Sequence, residues 1–96
     1  MTDRLVLRLY IAGRTPAAER AIRNLQQIIR ETYGDEEPCD LEVIDILERP
    51  QLAEDERILA TPVVIKKLPP PVRRVVGDLS ERDKVLIGLD LKEPGE

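Results

Sequence analysis

From Arg4 to Ala12 the chain alternates between two faces. Leu5, Leu7, Leu9 and Ile11 fall on one side and Val6, Arg8, Tyr10 and Ala12 on the other, the period-two signature of a β-strand. The turn "GRTP" interrupts it. Thr15 followed by Pro16 predicts a helix start, with a hydroxyl cap and a proline at the first helical position. The period then lengthens: Ala18, Ala21, Ile22, Leu25, Ile28 and Ile29 recur three and four residues apart, giving one apolar helix face that runs to about Tyr33 and stops at Gly34. A polar loop, "DEEPCD" (Asp35 to Asp40), leads to a second strand, Leu41 to Leu47. Strand, helix and strand of these lengths predict two parallel strands joined by a right-handed crossover.

The C-terminal half is less decided. Leu52, Ala53, Ile58 and Leu59 are a sparse apolar set for a second helix from Pro50 to about Leu59. Pro62 precedes a β-branched run and is tolerated as the first residue of a strand. "VRRVV" (Val72 to Val76) reads as another strand, so that Pro69, Pro70 and Pro71 form a rigid turn inside a hairpin. Ser80, with Asp83 three residues on, predicts a cap for the last segment. That segment fits two periods. As a helix, Val85, Leu86 and Leu89 share a face and Gly88 marks the end; as a strand, Val85, Ile87, Leu89 and Leu91 alternate. Either short segments are simply ambiguous, or this half has two competing packings. The order β-α-β-α-β-β-α is that of a single thioredoxin-like α/β domain over residues 1–96, and the local pattern favours this packing over an alternative one.

Composition narrows the chemistry. The chain has 96 residues, no Phe or Trp and two Tyr, so Leu, Ile and Val must fill the core. No apolar run approaches the ~20 residues of a membrane helix, and the charged N-terminus does not read as a secretion signal, so the expected compartment is the cytoplasm. A formal charge of −4 opposes general nucleic-acid binding. With no His and one Cys, Ser-His-Asp and Cys-His arrangements and Cys/His zinc sites are excluded, and no cofactor or metal is expected.

A thioredoxin-like order raises the question of redox chemistry, which needs a low-pKa cysteine at the start of the first helix. The sequence there is "AGRTPAAE", without cysteine. Cys39 lies in or beside the loop before the second strand and reads as structural or incidental. The acidic runs Asp35–Glu37 and Glu54–Glu56 read as solvated. Asp45, set between Ile44 and Ile46, is expected at a strand edge or bonded to backbone. Arg20 and Arg23 share a helix face, and Arg73 and Arg74 are adjacent in the last strand. Composition alone leaves these open between ordinary surface arginines and a docking site for an acidic partner. The proline triplet lacks the PxxP spacing of a ligand motif. Its X-Pro bonds, with Thr61–Pro62 upstream, are each open to the cis form, and such isomerisation is slow.

"YIAGRTPAAERAIRNL", "VIDILERPQLAEDERILATP" and "LPPPVRRVVGDLSERDKVLIGLDL" closely resemble the circadian clock KaiB family, from Leu5 to Leu91. The resemblance implies a non-enzymatic clock, timing or stress regulator that binds a KaiC-type ATPase and, where a KaiA is present, sequesters it. It implies a homo-oligomeric ground state, dimer or tetramer, that converts to a partner-binding thioredoxin-like monomer by refolding its C-terminal half. Carried over by position, Arg20, Arg23, Arg73 and Arg74 are docking residues, and Asp40 and Glu42 lie on the docking edge. Pro62, Pro69, Pro70, Pro71, Gly88 and Asp90 are switch residues. A glycine at 88 suits both a left-handed helix end and extended chain, and Asp90 would be costly if buried without a partner.

Three departures from the family pattern stand out. The loop "YGDEEPCD" is long and acidic, Asp40 and Glu42 occupy positions that tend to be neutral or basic, and the chain ends soon after Leu91 in "KEPGE". They point to a divergent or non-cyanobacterial member, and leave open whether a KaiA accompanies it. The alternative reading is a non-switching interaction module resembling the sensor domain of a clock-linked histidine kinase.

Overall fold

Strict alternation in the first segment produces the central strand. In the computed structural model, which describes residues 4–34 and 39–91, β1 (Leu5–Ile11) lies inside a four-stranded sheet of order β2-β1-β3-β4. β2 (Cys39–Asp45) runs parallel to β1, β3 (Val63–Leu68) runs antiparallel to β1, and β4 (Arg73–Val76) runs antiparallel to β3. The crossover from β1 to β2 is α1 (Pro16–Tyr33), and α2 (Pro50–Asp55) and α3 (Arg82–Gly88) complete the expected order.

The two periods fix the layers. Leu5, Leu7, Leu9 and Ile11 meet Ala18, Ala21, Ile22, Leu25 and Ile28 of α1 and Val85, Leu86 and Leu89 around α3 in one core. On the other side of the sheet, Tyr10, Ile44, Val63 and Ile65 pack with Leu52 and Ile58 in a smaller cluster. α1 starts as predicted: the Thr15 hydroxyl accepts from Ala18 N–H at 3.1 Å, with Pro16 at the first position. It stops at Gly34, whose φ of 69° places it in the left-handed region.

Several boundaries differ from the sequence reading. β2 begins at Cys39 rather than Leu41 and ends at Asp45, because in-register pairing with β1 recruits Cys39 opposite Leu5 and Asp40 opposite Val6. Cys39 and Asp40 therefore belong to a strand and not to the loop; Asp35 to Pro38 lie outside the described residues. α2 stops at Asp55, four residues early, where Arg57 takes a left-handed φ of 53°. α3 starts two residues after Ser80. Glu81 is its N-cap and makes no side-chain cap bond, while the Ser80 N–H turns back to Asp78 Oδ1 at 3.2 Å.

The last segment takes the helical option, and the expected role of Gly88 changes. Its φ is not left-handed; that conformation falls on Asp90, at 55°. Gly88 is needed for space, since a Cβ there would lie 2.5 Å from Val75 Cγ2. Asp90 is exposed, so no burial penalty attaches to its carboxylate; its main-chain carbonyl instead accepts from the ammonium of Lys66 at 3.3 Å. Lys66, 2% exposed, thus ties β3 to the end of α3. The Thr61–Pro62, Leu68–Pro69 and Pro70–Pro71 bonds are cis, and Pro69 to Pro71 form the β3–β4 turn.

Candidate partner-docking surfaces

The start of α1 is where a thioredoxin-like redox cysteine would sit. It holds Gly13, Arg14, Thr15 and Pro16, with the Thr15 oxygen already engaged as the cap. Cys39 pairs with Leu5 at the other end of β1, six strand steps or about 20 Å away. Burial, helped by the negative charge of Asp40 and opposed by the positive charge of Arg4, pushes its thiol pKa up. It is therefore held as a thiol, the opposite of what nucleophilic redox chemistry requires.

Asp45 behaves as the strand pattern predicts. Its Oδ1 accepts from the N–H of Gly13 at 3.1 Å and of Leu47 at 2.9 Å, closing the ends of β1 and β2. A cleft of about 320 Å³, lined in part by Ile11, Arg14, Asp45 and Arg49, opens beside it. Among the described residues, no three His, Cys, Asp or Glu side chains gather as metal ligands. No helix among the described residues is long and apolar enough to cross a membrane.

The charged residues singled out in the sequence fall on two opposite sheet edges and one helix. Asp40 and Glu42 project from the outer strand β2, on the same face as α2. Asp40 takes two bonds of 2.6 Å from the Arg4 guanidinium, and this hydrogen bonding holds its carboxyl below the usual range, with desolvation opposing and the Arg4 charge adding to it. Glu42 lies directly opposite Arg8 in the parallel register, 3.7 Å from its guanidinium, and 3.6 Å from Arg49. In-register alignment of "LVLRLYI" with "CDLEVID" puts Arg8 against Glu42, a signal present in the sequence and missed. The Arg4–Asp40 pair was missed because the second strand was started too late.

Arg73 and Arg74 are on β4, the opposite edge. Their side chains leave on opposite faces: Arg73 on the α1/α3 side, Arg74 on the α2 side. There the Arg74 guanidinium donates to the carbonyls of Glu56 at 3.1 Å and Arg57 at 3.5 Å, at the frayed end of α2. This pairing of a cation with a helix C-terminus is favourable, and nothing in the sequence pattern announced it. Arg20 pairs with Asp78 at 3.3 Å, while Arg23 is exposed on α1. Pro62 is buried at the head of β3. Gly88 and Asp90 meet β4 and β3 respectively, so the positions singled out as switch residues border the contacts that fasten the C-terminal half.

Comparison with known proteins bears on the family and the fold. A family profile described as the KaiB domain matches residues 8–91. The circadian clock oscillator protein KaiB of Microcystis aeruginosa is 56% identical over 86 residues, covering 90% of this chain and 81% of the relative. That of Trichodesmium erythraeum is 55% identical over the same length and coverage. Among solved structures, the N-terminal domain of Synechococcus elongatus SasA superposes with a TM-score of 0.75 at 23% identity, over 97% of this chain and 90% of that one. Oxidised mitochondrial thioredoxin 3 of Saccharomyces cerevisiae gives 0.68 at 15% identity, over 90% and 76%. The last two establish the fold alone. The family profile and the curated relatives carry more: the chain belongs to the KaiB family of circadian clock proteins.

Proposed function

We propose that this protein is a non-enzymatic clock or timing regulator that docks on a KaiC-type ATPase, and that it sequesters a KaiA-type protein in that complex where one is present. The observation that carries this reading is family membership over residues 8–91, on a thioredoxin-like scaffold whose only cysteine sits about 20 Å from the redox position. Such a scaffold offers surfaces rather than chemistry. Arg20, Arg23, Arg73 and Arg74, with Asp40 and Glu42 on the opposite edge, are its docking residues. A homo-oligomeric ground state and a monomeric bound state exchange by repacking the C-terminal half, and Pro62, Pro69, Pro70, Pro71, Gly88 and Asp90 are where the two packings part.

The test is co-migration of purified protein with its cognate ATPase on size exclusion, followed for a day under several nucleotide conditions. A complex is expected, and it weakens in Arg73→Glu/Arg74→Glu. No complex under any condition overturns the reading.

One observation favours a second reading. This structure already has the thioredoxin-like packing, and it superposes on the SasA N-terminal domain over nearly its whole length. A non-switching interaction module would look the same. Amide NMR across protein concentration separates the two: two slowly exchanging peak sets support switching, and one set throughout supports the fixed module.

A further inference from the structure

β4 ends the sheet and has no neighbour on its outer side among the described residues. Which of its main-chain groups are free follows from one hydrogen bond. Gly77 N–H donates to the Pro62 carbonyl at 2.8 Å, and the antiparallel register continues through Val76↔Val63, Val75↔Val64, Arg74↔Ile65 and Arg73↔Lys66. Bonded and non-bonded pairs alternate in such a ladder. Val75 and Arg73 therefore bond to β3, and the N–H and C=O of Arg74 and Val76 point out from the free edge.

The charge around that edge is unanswered. Arg57, Arg73 and Arg74 have no carboxylate partner among the described residues. Glu56, the nearest acid in sequence, is engaged by Lys67 and Arg8. The Arg74 guanidinium rests on the carbonyls of Glu56 and Arg57, which uses two of its five donors and brings it to the turn from which the exposed Arg57 leaves. Arg73 stands on the opposite face of the strand. Val72 and Val76 flank the arginines at 56% and 58% exposure. An unpaired edge with exposed valines is open to strand pairing, and the arginines select what pairs.

We propose that the β4 edge binds an extended acidic segment of a partner protein by strand addition. The segment's backbone pairs with Arg74 and Val76, and two adjacent carboxylates, on alternate faces of the added strand, meet Arg73 on one side and Arg74 with Arg57 on the other. A second copy of β4 is a poor occupant, because it brings the same arginines and like charges across neighbouring strands are destabilising. This inference rests on the reading that the protein works by docking a partner.

The probe is a capped hexapeptide, VEDVTV, titrated into ¹⁵N-labelled protein, with VKKVTV as its control. The expected result is shifts at residues 73–77, slowed hydrogen exchange at the Arg74 and Val76 amides, and no response to the lysine peptide. Arg73→Glu and Arg74→Glu should each weaken binding about fivefold or more, the upper end for an exposed ion pair. Val76→Pro keeps the arginines and removes an outward N–H, a change tolerated on an edge strand, and should abolish binding. Where this variant fails to fold, the wild-type exchange data decide. Shifts at the β2 edge instead, equal binding of both peptides, unaltered binding by folded Val76→Pro, or peptide-free shifts at residues 73–77 that depend on concentration each overturn the proposal; the last makes a second copy the occupant. The cognate ATPase separates the two readings. Arginine variants that lose the complex while Val76→Pro keeps it remove strand addition and leave ATPase docking. Peptide binding at β4 without any ATPase complex removes the partner and leaves the acidic strand.

Discussion

Substituting Gly88 by alanine adds one methyl group between α3 and β4, and its effect depends on a single neighbour. The new Cβ lies 2.5 Å from Val75 Cγ2 and 3.9 Å from Val75 Cβ. Carbon atoms pack at about 3.5–4.0 Å, so the valine methyl must retreat by about 1 Å or α3 must lift. Forcing a methyl into a filled contact costs about 1–3 kcal/mol. Against this, alanine is a better helix former than glycine by about 1 kcal/mol in a helix interior, and less at this final helical position. The single substitution therefore destabilises by about 1 kcal/mol. In a Val75→Ala background Cγ2 is gone, the remaining contact is an ordinary one, and Gly88→Ala becomes neutral or stabilising. The interaction term of the double-mutant cycle is about 1–2 kcal/mol, above the ~0.5 kcal/mol within which independent sites add. Urea unfolding of the four proteins, monitored by far-UV circular dichroism, measures it. An unchanged slope in denaturant would show that all four start from equally compact states. Equal effects of Gly88→Ala in both backgrounds would refute the claim that space against Val75 is what residue 88 supplies.

Three further outcomes follow from the same geometry. Asp45→Ala leaves the N–H groups of Gly13 and Leu47 without their acceptor and should cost about 1–3 kcal/mol in urea unfolding, with Asp45→Asn costing less because an oxygen remains. Asp40 has a folded-state pKa held down by Arg4, so its small contribution to stability is present above the unfolded carboxyl value and is lost as pH falls through the folded one; carboxyl NMR titration should show a low midpoint that returns to normal in Arg4→Gln and moves upward in high salt. Cys39, with its thiol pKa raised, should alkylate with iodoacetamide more slowly at pH 7.5 than a free cysteine, and Cys39→Ser should leave the proposed ATPase docking unchanged; fast alkylation would contradict a half-buried thiol.

Much of the scaffold was legible because its signals were redundant. The two faces of "LVLRLYI", the Thr15–Pro16 start and the Gly34 stop each reported one element, and each agrees with the packing. Asp45 was read correctly from its position between two isoleucines. The errors share a cause. The early start of β2 and the early end of α2 were set by partners far off in the chain: Cys39 is in the sheet because Leu5 is its neighbour, and the carbonyls left at the end of α2 are taken by Arg74. Ser80 matched a capping pattern, but Asp78 captured its N–H first. Lys66 follows the apolar run of β3. Its burial depends on α3 folding over it and supplying the Asp90 carbonyl, which no local pattern records. The charged positions were legible as residue types and not as places, since only the strand order puts Asp40 and Glu42 on one edge and Arg73 and Arg74 on the other.

The two halves are fastened by different kinds of contact. The N-terminal βαβ unit is joined by an in-register parallel ladder, an 18-residue capped helix and the Asp45 clasp, all of which follow from period and capping. The C-terminal half is held by short elements with few alternatives. α3 has seven residues and no side-chain cap, and β4 has four residues and one neighbour. An isolated helix of seven residues is unstable in water, so α3 exists because Val85, Leu86 and Leu89 are buried, Gly88 admits Val75 and Lys66 meets the Asp90 carbonyl. Each of these contacts is tertiary. The segment that fits both a helix and a strand period is thus the one whose conformation is decided by its surroundings. A chain that repacks one half while keeping the other would need its ambiguity placed there, and the αβ order of the N-terminal unit would be the part that stays.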